Sequence, residues 1–463
     1  MEQKRDQDQE HDFQSMSTSI LASEKMNPIC DSKVDSLLTQ GPSSQTSSGW
    51  FNQSQQESWR KFQSLPMPQR TDETWRFANL KAIDLTPYAV PAAVSDAVQS
   101  ELIRRSIGLK ETAGRMIFAN DQLLQREVLS DDLKSKGVIW EPIEKAVIDH
   151  PEIFRSHFMT QDVVLGSRKF AALHKAMVKS GTFLYVPKGI EIELPIEIFH
   201  WLHGDNRSTF PHTLLIAGEN SKVTLVDYFE SADAEAPGFA CGVNDLFVEA
   251  GAKLNYICVQ NWSRKTLSFQ INSTQVGRDA RATGMTLNLG SAYARSESVS
   301  HLAGNGGRSD MLAVTAAEAT QEFDQRTLQN HEVPNTSSDL LYKNSLDDQA
   351  RTIFAGLIRV EPGAHQTDAY QKVRNLLLSD EAEANSAPGL EIEADDVRCT
   401  HGATSGEIEK EELFYLQARG ISKQKAQRLI VSGFLNEVVG RLENEAVRER
   451  LQTLLATKFE RSL

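Results

Sequence analysis

The pattern of apolar and polar positions changes twice along the chain. From Glu57 to about Ser180 apolar residues return every three or four positions. AVSDAVQSELIRRSI and RKFAALHKAMVKS each gather them on one helical face, and Gly181 stands where a C-cap would close the second. From Gly181 onward the period falls to two. TLLIAGENSKVTLVDYF and DLFVEAGAKLNYICVQ each read as an alternating run, a tight turn and a second alternating run, which is strand chemistry. After Gly406 the helical period returns: EKEELFYLQARG closes on Gly420, Ser422 caps SKQKAQRLIVSGFLNEVVGRL, and ENEAVRERLQTLLATKF follows. The stripe Leu429, Ile430, Phe434, Val438 and Leu442 predicts the buried face of the middle helix. Residues 1–55 carry too little apolar surface to fold alone and read as a disordered polar tail. The expected division is therefore a tail (1–55), an N-terminal helical region (56–180), a β core (181–406) and a C-terminal helical domain (407–463).

The β core repeats. Turn residues fall at Gly189, Gly218, Gly251, Gly277, Gly306, Asn335, Gly363 and Gly389, at intervals of 29, 33, 26, 29, 29, 28 and 26 residues. A period in this range marks a stacked array. The leucine-rich pattern is missing and propeller blades are longer, so a mainly β solenoid fits best, with an antiparallel sandwich as the alternative.

Composition narrows the partners. A net charge of −14 over 463 residues, without a Lys/Arg-rich block, argues against nucleic acid or an anionic membrane as the main ligand. No apolar run approaches the length of a bilayer span, and the first 30 residues lack the apolar stretch of a secretory signal. Four scattered cysteines (Cys30, Cys241, Cys258, Cys399) form no disulfide framework, so a cytoplasmic protein is expected.

Candidate chemistry concentrates in GLEIEADDVRCTHGATSGEIEKEELFYLQARG, residues 389–420. Cys399 and His401 are two apart on an extended run, so both side chains point to one face. A thiol and an imidazole together make half a site for iron or a soft cluster, and the remaining ligands must come from elsewhere. Asp395 and Asp396 break the alternation and predict a bulge that re-aims the Cys/His face. Cys241 and Cys258 lie in alternating runs and read as core, and Cys30 as incidental. His200 and His203 have a spacing that suits a helix, whereas FHWLHGDN follows a strand, so they are not read as a metal pair.

The run VEPGAHQTDAYQKVRNLLLSDEAEANSAPGLEIEADDVRCTHGATSGEIEKEELFYLQARGI resembles the SufB/SufD family of the SUF iron–sulfur cluster assembly system. LPMPQRTDETWRFANL, KFAALHKAMVKSGTFLYVPKGIEIELPIEI and SDLLYKNSLDDQARTIFAGLIRV agree, so the resemblance runs from Leu65 to the end. The LPMPQRTDETWRF block and the His-Gly-Ala-Thr-x-Gly run from His401 are similar to the SufD branch. SufB members usually flank the corresponding histidine with acidic residues, where this chain has Thr400 and Gly402, and the SufB cluster cysteine has no counterpart between Gln366 and Asn375.

The resemblance implies a right-handed parallel β-helix with helical flanks, and a scaffold without catalysis of its own. It also implies a complex of one SufB-like, one SufD-like and two SufC-like subunits, with His401 at the interface with SufB. Cys399 lies beside it as a second metal-binding candidate. Iron or a nascent Fe–S cluster would sit at that interface, with no cofactor held stably by this chain alone; a homodimer is the form expected without partners. The chain has no Gly-x4-Gly-Lys-Ser/Thr phosphate loop, so ATP hydrolysis falls to the SufC partner. Two rival readings come from other classes. One is a β-helix carbohydrate-active enzyme, although no matched acidic pair recurs on one face. The other is a stand-alone iron-binding protein, for which two ligands are few.

Overall fold

The computed structural model describes residues 36–42, 49–179 and 181–461. Most of the predicted tail, including Cys30, lies outside the described residues. Its last part does not: helix α1 (Gly49–Ser64) begins before the boundary drawn at 55, because Phe51, Trp59 and Phe62 bury one face. The next stretch is mixed rather than helical. After two single 3-10 turns come α2 (Asp96–Arg105), β1 (Gly114–Ala119), β2 (Gln122–Arg126), α3 (Asp131–Ser135), β3 (Ile139–Pro142), α4 (Ile143–Asp149), α5 (Pro151–His157) and α6 (Arg168–Met177). Gly181 does not cap α6, which ends at Val178. It is a close-approach residue at φ +153°, where a Cβ would lie 2.2 Å from the His212 carbonyl oxygen.

The chain then coils as β4 (Thr182–Val186), β5 (Ile196–Leu202), β6 (Arg207–Thr209), β7 (His212–Ala217), β8 (Lys222–Ser231), β9 (Gly238–Val248) and β10 (Lys253–Asn261). The coils continue through β11 (Thr266–Val276), β12 (Arg281–Asn288), β13 (Tyr293–Leu302), β14 (Arg308–Ala317) and β15 (Glu322–His331). The last are β16 (Ser337–Leu346), β17 (Arg351–Val360), β18 (Asp368–Leu377), β19 (Glu383–Ile392) and β20 (Arg398–Glu407). The result is a parallel β-solenoid of about eight turns, not a sandwich. One sheet runs β2-β1-β5-β8-β10-β12-β14-β16-β18-β20 and the other β19-β17-β15-β13-β11-β9-β7-β4-β3.

At one corner between the sheets each coil places a left-handed residue: Gly189, Asn220, Gly251, Asp279, Gly306, Asn335, Gly363 and Asp396. Glycine, asparagine and aspartate tolerate that conformation, which explains why a glycine count found the period but missed some tips. Gly218 and Gly277 precede the true tips at Asn220 and Asp279, and Gly389 is no turn at all but part of β19.

Side chains alternate between a packed lumen and two outer faces. The outer face of the first sheet is covered by α8 (Lys423–Val439) and α9 (Glu445–Arg461), which follow α7 (Lys410–Gln417). Leu312, Val314 and Leu341 meet Val431, Leu435, Val438, Val439, Leu451 and Leu455 there. Each such burial is worth about 1.5–3 kcal/mol. The stripe read from sequence is only partly right, since Leu429 is exposed and Val431, Leu435 and Val439 take the inward positions. Lys343 on β16 pins α8: its Nζ donates to the Phe434 carbonyl at 2.9 Å and pairs with Glu437.

The outer face of the second sheet holds the N-terminal segment through a buried ionic cluster. Arg295 donates to Glu297 at 2.8 Å, to the Thr74 and Leu165 carbonyls at 2.9 and 2.8 Å, and pairs with Asp324. Its guanidinium stacks 3.7 Å from the Trp75 ring centre. Among the described residues no helix is long and apolar enough to cross a membrane.

Candidate functional site at the open end of the solenoid

β19 and β20 are the final strands of the two sheets, each paired on one side only, to β17 and β18. Their outer edges offer backbone N–H and C=O groups without ladder partners from the sheets, side by side at one end of the barrel-like coil. The lumen-facing residues of these strands share positions with buried residues one coil below. Leu390 stands over Ile358, Ile392 over Val360, Cys399 over Ala369 and His401 over Gln371. The lower partners are buried, whereas Leu390 and Ile392 are 37% and 42% exposed. Among the described residues the lumen is uncovered here.

Asp395 and Asp396 make the corner between the two strands rather than a bulge within one. Asp396 takes φ +54°, and its carbonyl accepts from the Gln366 N–H at 2.8 Å. The corner explains the broken alternation. It carries the chain from one sheet to the other, so both Leu390/Ile392 and Cys399/His401 face the lumen although their parities differ. His365 braces the corner by donating from Nδ1 to the Asp395 carbonyl at 2.9 Å, which leaves Nε2 unprotonated in the neutral ring.

Cys399 and His401 thus open β20 and share its inward face, as the period-two reading requires. Their surroundings differ. Cys399 is half-buried against Ile358, Val360, Ala364 and Ala369. That burial, reinforced by the charge of Asp368, raises its thiol pKa and disfavours the thiolate that binds metal. His401 is exposed at the rim. Among the described residues no group of three or more His, Cys, Asp or Glu side chains gathers to hold a metal ion. A lone imidazole at this rim can supply at most one ligand to a transition metal.

The other sequence candidates sit away from this end. His200 lies in the lumen between the Phe118 and Phe229 rings, each 5.2 Å away, and burial pushes its pKa down to about 3. His203 lies beyond β5, with its backbone N–H donating to Asn120 at 2.9 Å. The two do not converge. Cys241 and Cys258 are buried, and burial raises both thiols far above their ordinary range. Gln371 and His365 were missed by reading the sequence. The repeat carried the signal, because each sits one coil before a residue of the candidate segment.

A family model described as the SufBD core domain of SUF system FeS cluster assembly matches residues 200–434. A second, for the SufBD protein N-terminal region, matches residues 40–198. The chain belongs to the SufBD family. Its role therefore lies in iron–sulfur cluster assembly, within a system of interacting subunits. Similar proteins include the iron-sulfur cluster assembly protein SufD of Bacillus subtilis, 28% identical over 420 residues covering 89% of this chain and 94% of that protein. A SufBD family protein of Staphylococcus saprophyticus is 26% identical over 89% of this chain and 90% of its own length. Another from Staphylococcus epidermidis is 25% identical over 98% of both.

Proposed function

We propose that this SufBD chain is a SufD-type scaffold subunit, without catalysis of its own, that pairs its open solenoid end with a SufB-like subunit. The supporting observation is the pair of unpaired edges on β19 and β20, beside uncovered Leu390 and Ile392. A partner with the same coil satisfies such edges by continuing both sheets, and its lumen covers the apolar residues. His401 then faces the shared interface and offers its imidazole to iron as cargo, while the SufB-like subunit completes the ligand set. Cys399 is the lesser candidate, because its thiol is held protonated. Without a SufB-like subunit the same edges serve a homodimer.

The C-terminal helices hold a SufC-like ATPase in this reading, with one SufB-like, one SufD-like and two SufC-like subunits in all. Phe414 and Tyr415 on α7 are 71% and 56% exposed, and Leu429 on α8 is 48% exposed. α8 is fixed to β16 through Lys343, so movement of a bound ATPase is transmitted to the coils that carry β18 and β20.

The test is co-expression with SufB and SufC, purification through a tag on this chain, and native mass measurement. Recovery of this chain alone, with both partners soluble, would sink the reading. In an intact complex, His401→Ala is expected to abolish anaerobic cluster reconstitution. Deleting residues 407–463 is a poor test of ATPase docking, because α8 and α9 cover a sheet. Phe414→Glu with Tyr415→Glu is the cleaner variant, expected to release SufC and leave SufB bound.

A further inference from the structure

The inward face of β18 supports that of β20 rung by rung. Asn344 Nδ2 donates to Asn375 Oδ1 at 2.8 Å, and Asn375 Nδ2 donates to Ser405 Oγ at 3.1 Å. Side chains paired in register therefore reach one another along the lumen. Four residues earlier on the same strand pair, the register sets Gln371 beneath His401.

Gln371 is only 2% exposed. Its amide crosses the lumen toward the second sheet, where Nε2 donates to Gln329 Oε1 at 3.4 Å. Gly356 leaves the room, since a Cβ there would lie 2.4 Å from that nitrogen. Gln329 Nε2 in turn donates to Ser338 Oγ at 2.7 Å, and Ser338 Oγ lies 2.8 Å from His331 Nε2. This network fixes the sense of the Gln371 amide. Turning it over would face its oxygen toward the Gln329 oxygen, acceptor against acceptor. The Gln371 Oε1 is thus buried, and it has no hydrogen-bond partner among the described residues. A buried acceptor without a donor costs about 1–3 kcal/mol.

We propose that Gln371 is the positioning residue for His401. Its Oε1 accepts a hydrogen bond from one ring N–H of His401, which selects a single tautomer and turns the other nitrogen's lone pair out of the open end. Residues that orient a metal-binding imidazole through its second nitrogen affect metal affinity by about 10–100-fold. The value of this orientation to iron rests on the function proposed above, but the hydrogen bond itself is tested without iron.

The full-length chain, labelled with 15N in histidine, is examined at pH 8 by long-range 1H–15N correlation, and His401→Gln identifies the His401 signals by their loss. The wild type is expected to show one His401 tautomer. Gln371→Leu should move both His401 ring nitrogens toward the averaged shifts of a free imidazole, and Gln371→Glu, which keeps an acceptor, should retain the wild-type tautomer. A mixed tautomer in the wild type overturns the proposal, whatever the variants do. So does an unchanged tautomer in folded Gln371→Leu, or in Gln371→Met should Leu not fold. The two readings fail separately. Full reconstitution after His401→Ala would refute the iron role and leave the hydrogen bond standing, whereas mixed wild-type tautomers with lost reconstitution would do the reverse.

Discussion

The two ends of the solenoid treat the same lumen in opposite ways. At the N-terminal end β2 folds back antiparallel on β1, and β3 lies antiparallel to β4, so each sheet finishes on a strand that no further coil extends. The hairpin tip is Asn120-Asp121, both left-handed, and the Asp121 carboxylate accepts from Thr209 Oγ1 at 2.7 Å and Phe210 N at 2.9 Å. Trp140, Met116 and Phe118 plug the lumen behind it. At the C-terminal end nothing comparable follows β19 and β20 among the described residues; the chain leaves sideways into α7 and returns to cover an outer face instead. A chain able to finish one end of its coil has left the other unfinished, at the place where the candidate ligands lie. The proposed pairing with a like-folded subunit rests on this contrast.

Breaking a covered level in the middle of the coil should be costly. Arg295→Met would leave Glu297 buried without its cation and Asp324 with Arg326 alone, and would free the carbonyls of Thr74 and Leu165 that tie the N-terminal segment down. A loss of about 3–5 kcal/mol is expected in urea unfolding of the whole chain. A loss below about 1 kcal/mol would show that the N-terminal elements hold to the coil by apolar contact alone.

A smaller effect, with a defined pH dependence, comes from a buried chain of rings nearer the N-terminal end. His174 Nδ1–H donates to the Cys241 carbonyl at 2.7 Å, so its neutral Nε2 accepts from His212 Nδ1–H at 3.1 Å. His212 Nε2 then carries a lone pair, 3.5 Å from Asp245 Oδ2. Two acceptors meet unless the carboxyl keeps its proton. Burial pushes Asp245 up to about 7, against the lowering effects of the Met159 N–H and the Lys175 charge. A carboxyl whose folded pKa is raised contributes stability that is present below the unfolded value of 3.8 and is lost as pH rises through about 7. The Met159 N–H and His212 Nε2 face the same oxygen, Oδ2, at 2.7 and 3.5 Å, so Asp245→Asn serves only one of them, but the variant never carries the buried charge. It is expected to be stabilising by on the order of 1–3 kcal/mol at pH 8 and to lose that advantage toward pH 4. Thermal melts of both proteins across that range check the crossing, and a pH-independent difference would place the proton elsewhere.

Much of this architecture was legible in the sequence because the coil repeats. The period-two runs identified strands such as β7, β8, β9 and β10, and corner residues with left-handed tolerance recurred once per coil. What escaped had no local signature. β1, β2 and β3 were hidden inside a region of helical texture, since short strands that only complete a sheet need neither length nor alternation. Gly389 looked like a turn because a glycine in an edge strand has the same letter as one at a corner. At the candidate site, Cys399 and His401 were visible as a motif, but the half-burial that raises the thiol of Cys399 was not. Gln371 belongs to His401 only through a register of stacked coils.

The smallest expected effect sharpens the contrast most. Leu390 and Ile392 face inward like Ile358 and Val360 beneath them, yet they are exposed where the lower pair is buried. Leu390→Ser and Ile392→Ser should therefore each cost the isolated chain only roughly 1 kcal/mol, because 37% and 42% of these residues stay in water on folding. Ile358→Ala alone, one coil lower, should cost about 2–5 kcal/mol. If the open end pairs with a like-folded subunit, the double serine variant shows weakened association beyond its loss in the isolated chain. Equal losses of stability at the two levels would mean that another part of this chain already covers Leu390 and Ile392, and the end would not be open.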